Sequence, residues 1–140
     1  MQLSNHIKIT KVKDHSAAAT TDVESDGVDM AGFEGVIFMT SFGTAAADNL
    51  ANAQQSTDNS TFAALLGTAV AQGGASDEDV WIDIYRPLER YVSLHVDRGT
   101  SSTLESIWAI QYGARKLPVD NTTTGTIAGE AHVSPIEGTA

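Results

Sequence analysis

Three stretches between Val80 and Tyr112 alternate apolar and polar side chains, and this alternation constrains the fold more than any other feature. One side of the first two stretches is aliphatic: Val80, Ile82, Ile84, Val92, Leu94 and Val96. The third run, residues 106–112, places Trp108, Ile110 and Tyr112 on one face. A period of two is typical of half-buried β-strands. Because the connections are short, we expect the three strands to pair antiparallel with one another.

Two stretches in the N-terminal half also have strand character. The run Ile7–Lys13 alternates apolar with basic residues and predicts either an edge strand protected by its lysines or an arm that pairs with a neighbouring subunit. The run Val36–Phe42 carries apolar side chains on both faces, which predicts a central strand of the sheet.

The remaining segments carry weaker signals. Residues 16–26 are small, polar and acidic and predict an exposed loop, whereas Val28 and Met30 indicate a short strand. Residues 45–53 and 62–71 have a composition compatible with helix, but turn formers bracket both. We therefore favour strands or irregular loops there, with strand candidates at three places: Leu50–Gln55, Leu65–Val70 and, near the C-terminus, Ala131–Val133.

The summed pattern predicts an all-β fold of seven to nine short strands, an antiparallel β-sandwich of jelly-roll type. The length of 140 residues fits a single domain, residues 1–140. Residues 1–15 and 117–140 are candidates for extended terminal arms, since they offer little with which to build a core.

The charge distribution argues against two classes of partner. The formal net charge is −10, and no Lys or Arg lies between Asp14 and Asp83. Nucleic acids and anionic membranes both attract clustered basic residues, so neither is an expected partner. The longest strictly apolar runs are about four residues, as in Val36–Met39, so we expect neither a signal peptide nor a membrane span.

Motifs for catalysis or cofactor binding are missing from the sequence. There is no cysteine, the four histidines are dispersed, and neither a nucleotide-binding glycine motif nor a nucleophile elbow occurs. His95, Asp97 and Asp83 make a weak candidate for a metal or acid–base site; a polar network between strands explains them as well. We therefore expect no catalytic residue, no cofactor and no metal, and a protein that is not an enzyme.

Aromatic and basic residues near these strands are the best interface candidates. If the aliphatic side chains face the core, the opposite face is richer in aromatics than a solvent-exposed surface needs. Alternatively, a second sheet or the C-terminal segment packs over these aromatic rings, which would account for them equally well. Arginines here are able to meet the acidic surface of a neighbouring copy. The candidates are Trp81, Tyr85, Arg86, Arg90, Tyr91, His95, Arg98, Arg115 and Lys116.

Several short strings resemble the small virion structural proteins of tailed bacteriophages. They are Asp83-Ile84-Tyr85-Arg86-Pro87, Arg90-Tyr91, Arg98-Gly99-Thr100, residues 112–119, Asn121-Thr122-Thr123, Gly129-Glu130 and residues 132–135. The likeness covers the C-terminal half well, and the N-terminal half mainly through residues 29–31 and 34–36.

This resemblance implies a capsid decoration, or cement, protein: a β-sandwich, usually trimeric, on the outer surface of the virion head. Its partner would be the major capsid protein, and binding across capsomer boundaries would stabilise the expanded shell. Two alternatives stay open. One is a head-fibre, tail or adsorption component, and the other is a small β-sandwich module that binds carbohydrate or another ligand through Trp81 and Tyr85.

Overall fold

The computed structural model describes residues 1–139 as two antiparallel β-sheets of six strands each, with a single 3-10 turn at Leu3–Asn5. Sheet A contains β1 (Lys8–Lys13), β2 (Ser16–Ala19), β5 (Gly35–Phe42), β9 (Glu78–Tyr85), β11 (Ser102–Leu104) and β12 (Ile107–Tyr112). Sheet B contains β3 (Val23–Glu24), β4 (Val28–Asp29), β6 (Asn49–Ser56), β7 (Ala63–Ala64), β8 (Val70–Gln72) and β10 (Tyr91–Arg98). The predicted all-β sandwich is confirmed.

The core lies between the sheets and consists of the inward side chain of every second strand residue. Sheet A contributes aliphatic and aromatic residues, and sheet B contributes aliphatic ones; the central members are Val36, Phe38, Phe42, Ala51, Ala53, Val80, Ile82, Val92, Leu94, Val96, Leu104, Ile107 and Ala109. Burial of these apolar surfaces is the main stabilising term, at roughly 25 cal/mol per Å². The aliphatic sides predicted for residues 80–84 and 92–96 do face this core.

Strand β5 is central, as predicted. It pairs along its length with β9, and its other side pairs with β12 and, at Phe42, with β11. Strand β1 continues the sheet beyond β12, so it is an edge strand as its lysines predict. Strand β9 pairs only with β5, so it forms the opposite edge of sheet A.

The prediction that the strands between residues 80 and 112 pair with one another is wrong. β9 lies in sheet A and β10 in sheet B, so the connection from Arg86 to Arg90 crosses between the sheets. β12 returns to sheet A and pairs with β5 and β1. Alternation reports which side chains face inward; it does not identify the neighbouring strand, which packing of the whole chain decides.

Several local predictions need correction. The 16–26 segment is not simply a loop, because it contains β2 and β3. The strand predicted at Leu50–Gln55 is confirmed within β6, but Leu65–Val70 is mostly turn between β7 and β8. No strand forms at Ala131–Val133. The described residues form twelve strands, more than the seven to nine predicted. Three of them are only two residues long, which is too short to produce an alternating pattern in the sequence.

The terminal segments contact each other along the outer side of β1. Asn121 accepts a hydrogen bond from the amide of Ile9 (2.7 Å) and donates to the carbonyls of Ser4 (2.7 Å) and Ile7 (2.9 Å). Val119 donates to the carbonyl of Asn5 at 2.9 Å. Beyond Ile127 the chain through residue 139 is exposed and lies in no strand. Exchange of either arm with a neighbouring subunit stays a prediction, and residue 140 lies outside the described residues.

Within residues 1–139, no helix is both long enough and apolar enough to cross a membrane.

Candidate functional site

The outward surface of sheet A carries a row of large apolar side chains across three adjacent strands. Met39 on β5 lies directly opposite Trp81 on β9 and directly opposite Trp108 on β12. One row further, Ile37 lies opposite Ile110. We call this surface the aromatic face; its members are Ile37, Met39, Trp81, Tyr85, Trp108, Ile110 and Tyr112.

Several members of the aromatic face are open to solvent. Trp81 is 64% exposed, Tyr85 57%, Met39 42% and Trp108 36%. An aromatic side chain has about 150–250 Å² to bury, so together these residues offer several hundred Å² of apolar surface. Contiguous apolar surface of that size on a soluble protein marks an interaction site. Trp81 and Tyr85 are therefore exposed, as the interface prediction requires, and neither the second sheet nor the C-terminal segment covers them.

Polar contacts hold the end of the aromatic face in place. The Tyr112 hydroxyl donates a hydrogen bond to Asp83 Oδ1 at 2.7 Å, linking β12 to β9 across Gly35. A Cβ at residue 35 would lie 2.2 Å from the Tyr112 ring, so only glycine leaves room for this crossing. Burial, and then the bond to Asp83, raise the pKa of Tyr112 to about 12.

A cavity of about 380 Å³ opens beside Trp108 at the other end of the aromatic face. We call it the acidic slot; Met39, Thr40, Ser41, Asp79, Glu105, Ser106 and Trp108 line it. Main-chain bonds fix Glu105, since its amide donates to Ser41 O (2.8 Å) and its carbonyl accepts from Thr40 Oγ1 (3.1 Å). The Glu105 carboxylate lies 3.3 Å from His15 Nδ1, and Asp79 forms no ion pair within the described chain.

Arginines gather at the end of the sandwich remote from the acidic slot. Arg86, Arg90 and Arg115 line one concave surface of about 520 Å³ together with Leu88 and two carboxylates, those of Glu34 and Glu89. Arg86 lies 5.1 Å from the centre of the Tyr85 ring and has a φ of +51°, a conformation that a non-glycine residue adopts at a cost. Lys116 is exposed beside Arg115.

Within the described residues, Arg90 is the member of this group that forms an ion pair. It holds Asp29 through two hydrogen bonds of 2.9 and 2.8 Å, and that contact lowers the pKa of Asp29. Arg86 and Arg115 form no ion pair with any described carboxylate. We call Arg86, Leu88 and Arg115 the arginine tip; Leu88 is 89% exposed and lines the same concave surface.

Tyr91 and His95 do not share a face with Trp81 and Tyr85, so the prediction of a single aromatic surface is wrong. They project from β10 on the outer side of sheet B, because β9 and β10 belong to different sheets. His95 Nδ1 contacts Glu24 Oε1, and its Nε2 lies 3.6 Å from Asp22. His95 therefore belongs to a polar network with β3 and the residue before it. Asp83 lies in sheet A and bonds Tyr112, so the predicted grouping of His95 and Asp97 with Asp83 is wrong.

Arg98 is an interior residue and is not available to a partner. It is only 3% exposed, and its guanidinium donates to the carbonyls of Ala17 (2.6 Å), Thr21 (2.8 Å) and Ser102 (3.0 Å). It sits at an inward position of β10 in register with the core residues Leu94 and Val96. Its role is therefore to tie β2 and the loop after it to β11.

No group of three or more His, Asp or Glu side chains able to hold a metal ion occurs in residues 1–139. The residues that sequence reasoning missed are Met39 and the rest of the acidic slot. The signal was present, because Val36–Phe42 is apolar on both faces; we assigned both faces to the interior, whereas one of them is the aromatic face.

Comparison with known proteins supports the fold. No protein-family model matches the chain, and no curated protein matches its sequence. Among solved structures, it is similar to the PBSX exported protein XepA, with a TM-score of 0.54 and 16% identity over 94% of this chain. The match spans 45% of XepA. The SPBc2 prophage-derived protein YomS aligns with a TM-score of 0.48 and 14% identity, over 75% of this chain and 93% of YomS.

Proposed function

We propose that this protein is a non-enzymatic structural component of a tailed bacteriophage, which decorates the outside of the virion head and bridges neighbouring capsomers. It acts as a homotrimer, its partner is the major capsid protein, and it binds neither nucleic acid nor membrane. The observation that carries the proposal is the aromatic face, whose two tryptophans and Met39 are exposed on one flat sheet. Aromatic residues and methionine are enriched where proteins contact each other.

Two further observations support this assignment. The net charge of −10 suits a protein outside the shell better than one that contacts packaged DNA. The fold is similar to part of XepA, an exported protein of PBSX. The sequence strings at Asp83–Pro87 and Tyr112–Val119 resemble phage virion proteins independently of that fold likeness.

The mechanism follows from linkage. A protein that binds the expanded shell and not its precursor stabilises the expanded state by the free energy of that binding. Trimers contribute avidity, because three linked copies raise the effective concentration of each contact at the shell. No bond is made or broken in this function, which agrees with a surface built from apolar rings and not from a nucleophile and base.

The test is binding of purified protein to expanded, undecorated phage heads. We expect saturable binding at a fixed ratio to the major capsid protein and an increase in the temperature at which the heads break open. Binding to tails in place of heads would support the head-fibre, tail or adsorption alternative. Absence of binding to either particle would contradict the proposal.

A ligand-binding module is the second candidate, because Trp81 and Tyr85 project from the same face of the edge strand β9. Exposed rings on one plane are a platform on which a sugar stacks. The discriminating measurement is glycan-array binding by the wild-type protein and by Trp81→Ala. A defined glycan bound by the wild type and lost in the variant would favour the module over the decoration protein.

A further inference from the structure

We propose that the arginine tip of one copy docks into the acidic slot of a second copy, so that the chain assembles with itself in a head-to-side arrangement. The inference rests on the proposal that the aromatic face is an assembly surface, and it names the partner that covers the slot end of this face. Both halves of the contact are present on the same chain.

The acidic slot requires a partner that is both cationic and apolar. Asp79 and Glu105 supply carboxylates, and Trp108 and Met39 supply an aromatic ring and a thioether. Glu78 and Asp83 add negative charge along β9. Two basic side chains lie nearby: Lys11, opposite Trp108, is paired with Asp14 at 2.6 Å, and His15 Nδ1 lies 3.3 Å from Glu105, which leaves Asp79 without an ion pair among the described residues. A guanidinium stacks on indole and hydrogen-bonds carboxylates, so an arginine suits this cavity better than a neutral side chain does.

The arginine tip supplies the complementary chemistry. Arg86 and Arg115 form no ion pair with a carboxylate among the described residues, and Leu88, which lines the same concavity, is almost fully exposed. Glu34 and Glu89 also line it, together with Arg90, whose charge is paired with Asp29. Arg86 has a φ of +51°, and backbone strain of this kind persists at sites of function.

The two surfaces of one molecule cannot meet each other. The tip lies beyond Tyr85, which pairs with Gly35, whereas the slot spans Met39 to Ser41 on the same strand β5, and its carboxylate Asp79 pairs with Ser41. Gly35 and Ser41 are six residue steps apart, or about 20 Å at 3.3 Å per residue. The contact is therefore between copies, and it joins two different surfaces. Such heterologous contacts produce closed rings when the rotation between copies closes.

Charge reversal tests the contact without phage heads. One variant reverses the tip (Arg86→Glu with Arg115→Glu), and the other reverses the slot (Asp79→Lys with Glu105→Lys). Size-exclusion chromatography with light scattering should find the wild type assembled and each variant alone monomeric, with the dissociation constant raised about a hundredfold or more. A variant that carries both reversals on one chain should assemble again, because every reversed tip then meets a reversed slot whatever the number of copies in the ring.

A matched control changes charge elsewhere by the same amount as the slot variant. Glu130→Lys with Glu137→Lys alters two exposed residues of the C-terminal segment and should leave assembly unchanged. Circular dichroism and the melting temperature establish that every variant is folded.

Three results would overturn the inference: a wild-type chain that stays monomeric up to millimolar concentration, a tip variant that assembles normally, or a variant with both reversals that is folded and stays monomeric. Head binding by a monomeric wild type would leave the proposed function standing and remove only this contact. Self-assembly of a wild type that does not bind heads would support this contact and contradict the proposed function.

Discussion

The outer faces of the two sheets differ in what they offer to solvent. Sheet A presents Ile37, Met39, Trp81, Trp108 and Ile110 across adjacent strands. On the outer face of sheet B, residues of β10 alternate in register with those of β6, and the pairs are Tyr91–Ser56, Ser93–Gln54, His95–Asn52 and Asp97–Leu50. Most of these side chains are polar, and His95 is bonded to Glu24, whereas the Ser93 hydroxyl is buried without a partner among the described residues. On the apolar face of sheet A, in contrast, cover by another protein would lower the free energy, because apolar surface is removed from water.

The two sheets therefore differ in which side chains occupy the outward positions of their strands. In β10 and β6 the outward positions are mostly polar, so the sheet has one core face and one wet face. In β5 and β12 the outward positions are also apolar, yet no element of the chain covers them. An apolar outward face on an uncovered sheet is typical of an interaction surface, and the proposed function rests on this feature.

The largest expected effect comes from removing the rings of the aromatic face. Trp81→Ala combined with Trp108→Ala should weaken binding to undecorated heads about a thousandfold, or about 4 kcal/mol, because buried tryptophans are typical interface hot spots. The melting temperature should change little, since both rings lie outside the core. Quantitative pelleting of heads with bound protein measures the affinity.

The matched control for the tryptophan variant lies on sheet B. Asn52→Ala with Gln54→Ala removes two outward side chains of β6 and should leave head binding within a factor of a few. Equal losses in the two double variants would mean that the faces do not differ in function.

The next largest effect separates loss of the fold from loss of a contact. Arg98→Ala leaves the carbonyls of Ala17, Thr21 and Ser102 without their buried donor, which should lower the free energy of unfolding by about 3 kcal/mol. Urea denaturation measures this change. Below the melting temperature the variant should still bind heads, because Arg98 is not on a surface. If the variant keeps its stability but fails to bind heads, Arg98 contacts the partner and the assignment to the interior is wrong.

Much of the fold could be predicted from the sequence. The inward residues of β9 and β10, the central position of β5 and the edge position of β1 all follow from local patterns of polarity. Sheet membership could not be predicted, because a five-residue link such as Arg86–Arg90 fits a hairpin as well as a crossing between sheets. That single ambiguity moved Tyr91 and His95 to the wrong face.

The candidate site was only partly visible for the same reason. Trp81 and Tyr85 were identified because aromatic residues at outward positions are conspicuous, whereas Met39 lies in a run that reads as fully buried. Arg98 was misplaced because an arginine at an inward position is rare and is tolerated only where carbonyls satisfy its donors. No local pattern reports that Thr21 and Ser102 approach it.

A smaller effect concerns ionisation on the aromatic face. Because burial and Asp83 raise the pKa of Tyr112 to about 12, its contribution to stability is present below the usual tyrosine pKa of about 10 and is lost as the pH rises through 12. Near-ultraviolet titration should resolve one late-ionising tyrosine, and Tyr112→Phe should remove it. A titration in which all tyrosines of the wild type ionise together would contradict the hydrogen bond to Asp83.

The central claim is that protein covers the aromatic face in the assembled state and leaves the outer face of sheet B open. Hydroxyl-radical footprinting of the free protein and of decorated heads, read by mass spectrometry, measures this directly. We predict that oxidation of Trp81 falls severalfold on the heads, while oxidation of Tyr91 stays the same. Met39 and Trp108 also line the acidic slot, so a second copy protects them before the heads are added. Unchanged oxidation of Trp81, or protection of Tyr91 in its place, would contradict the account.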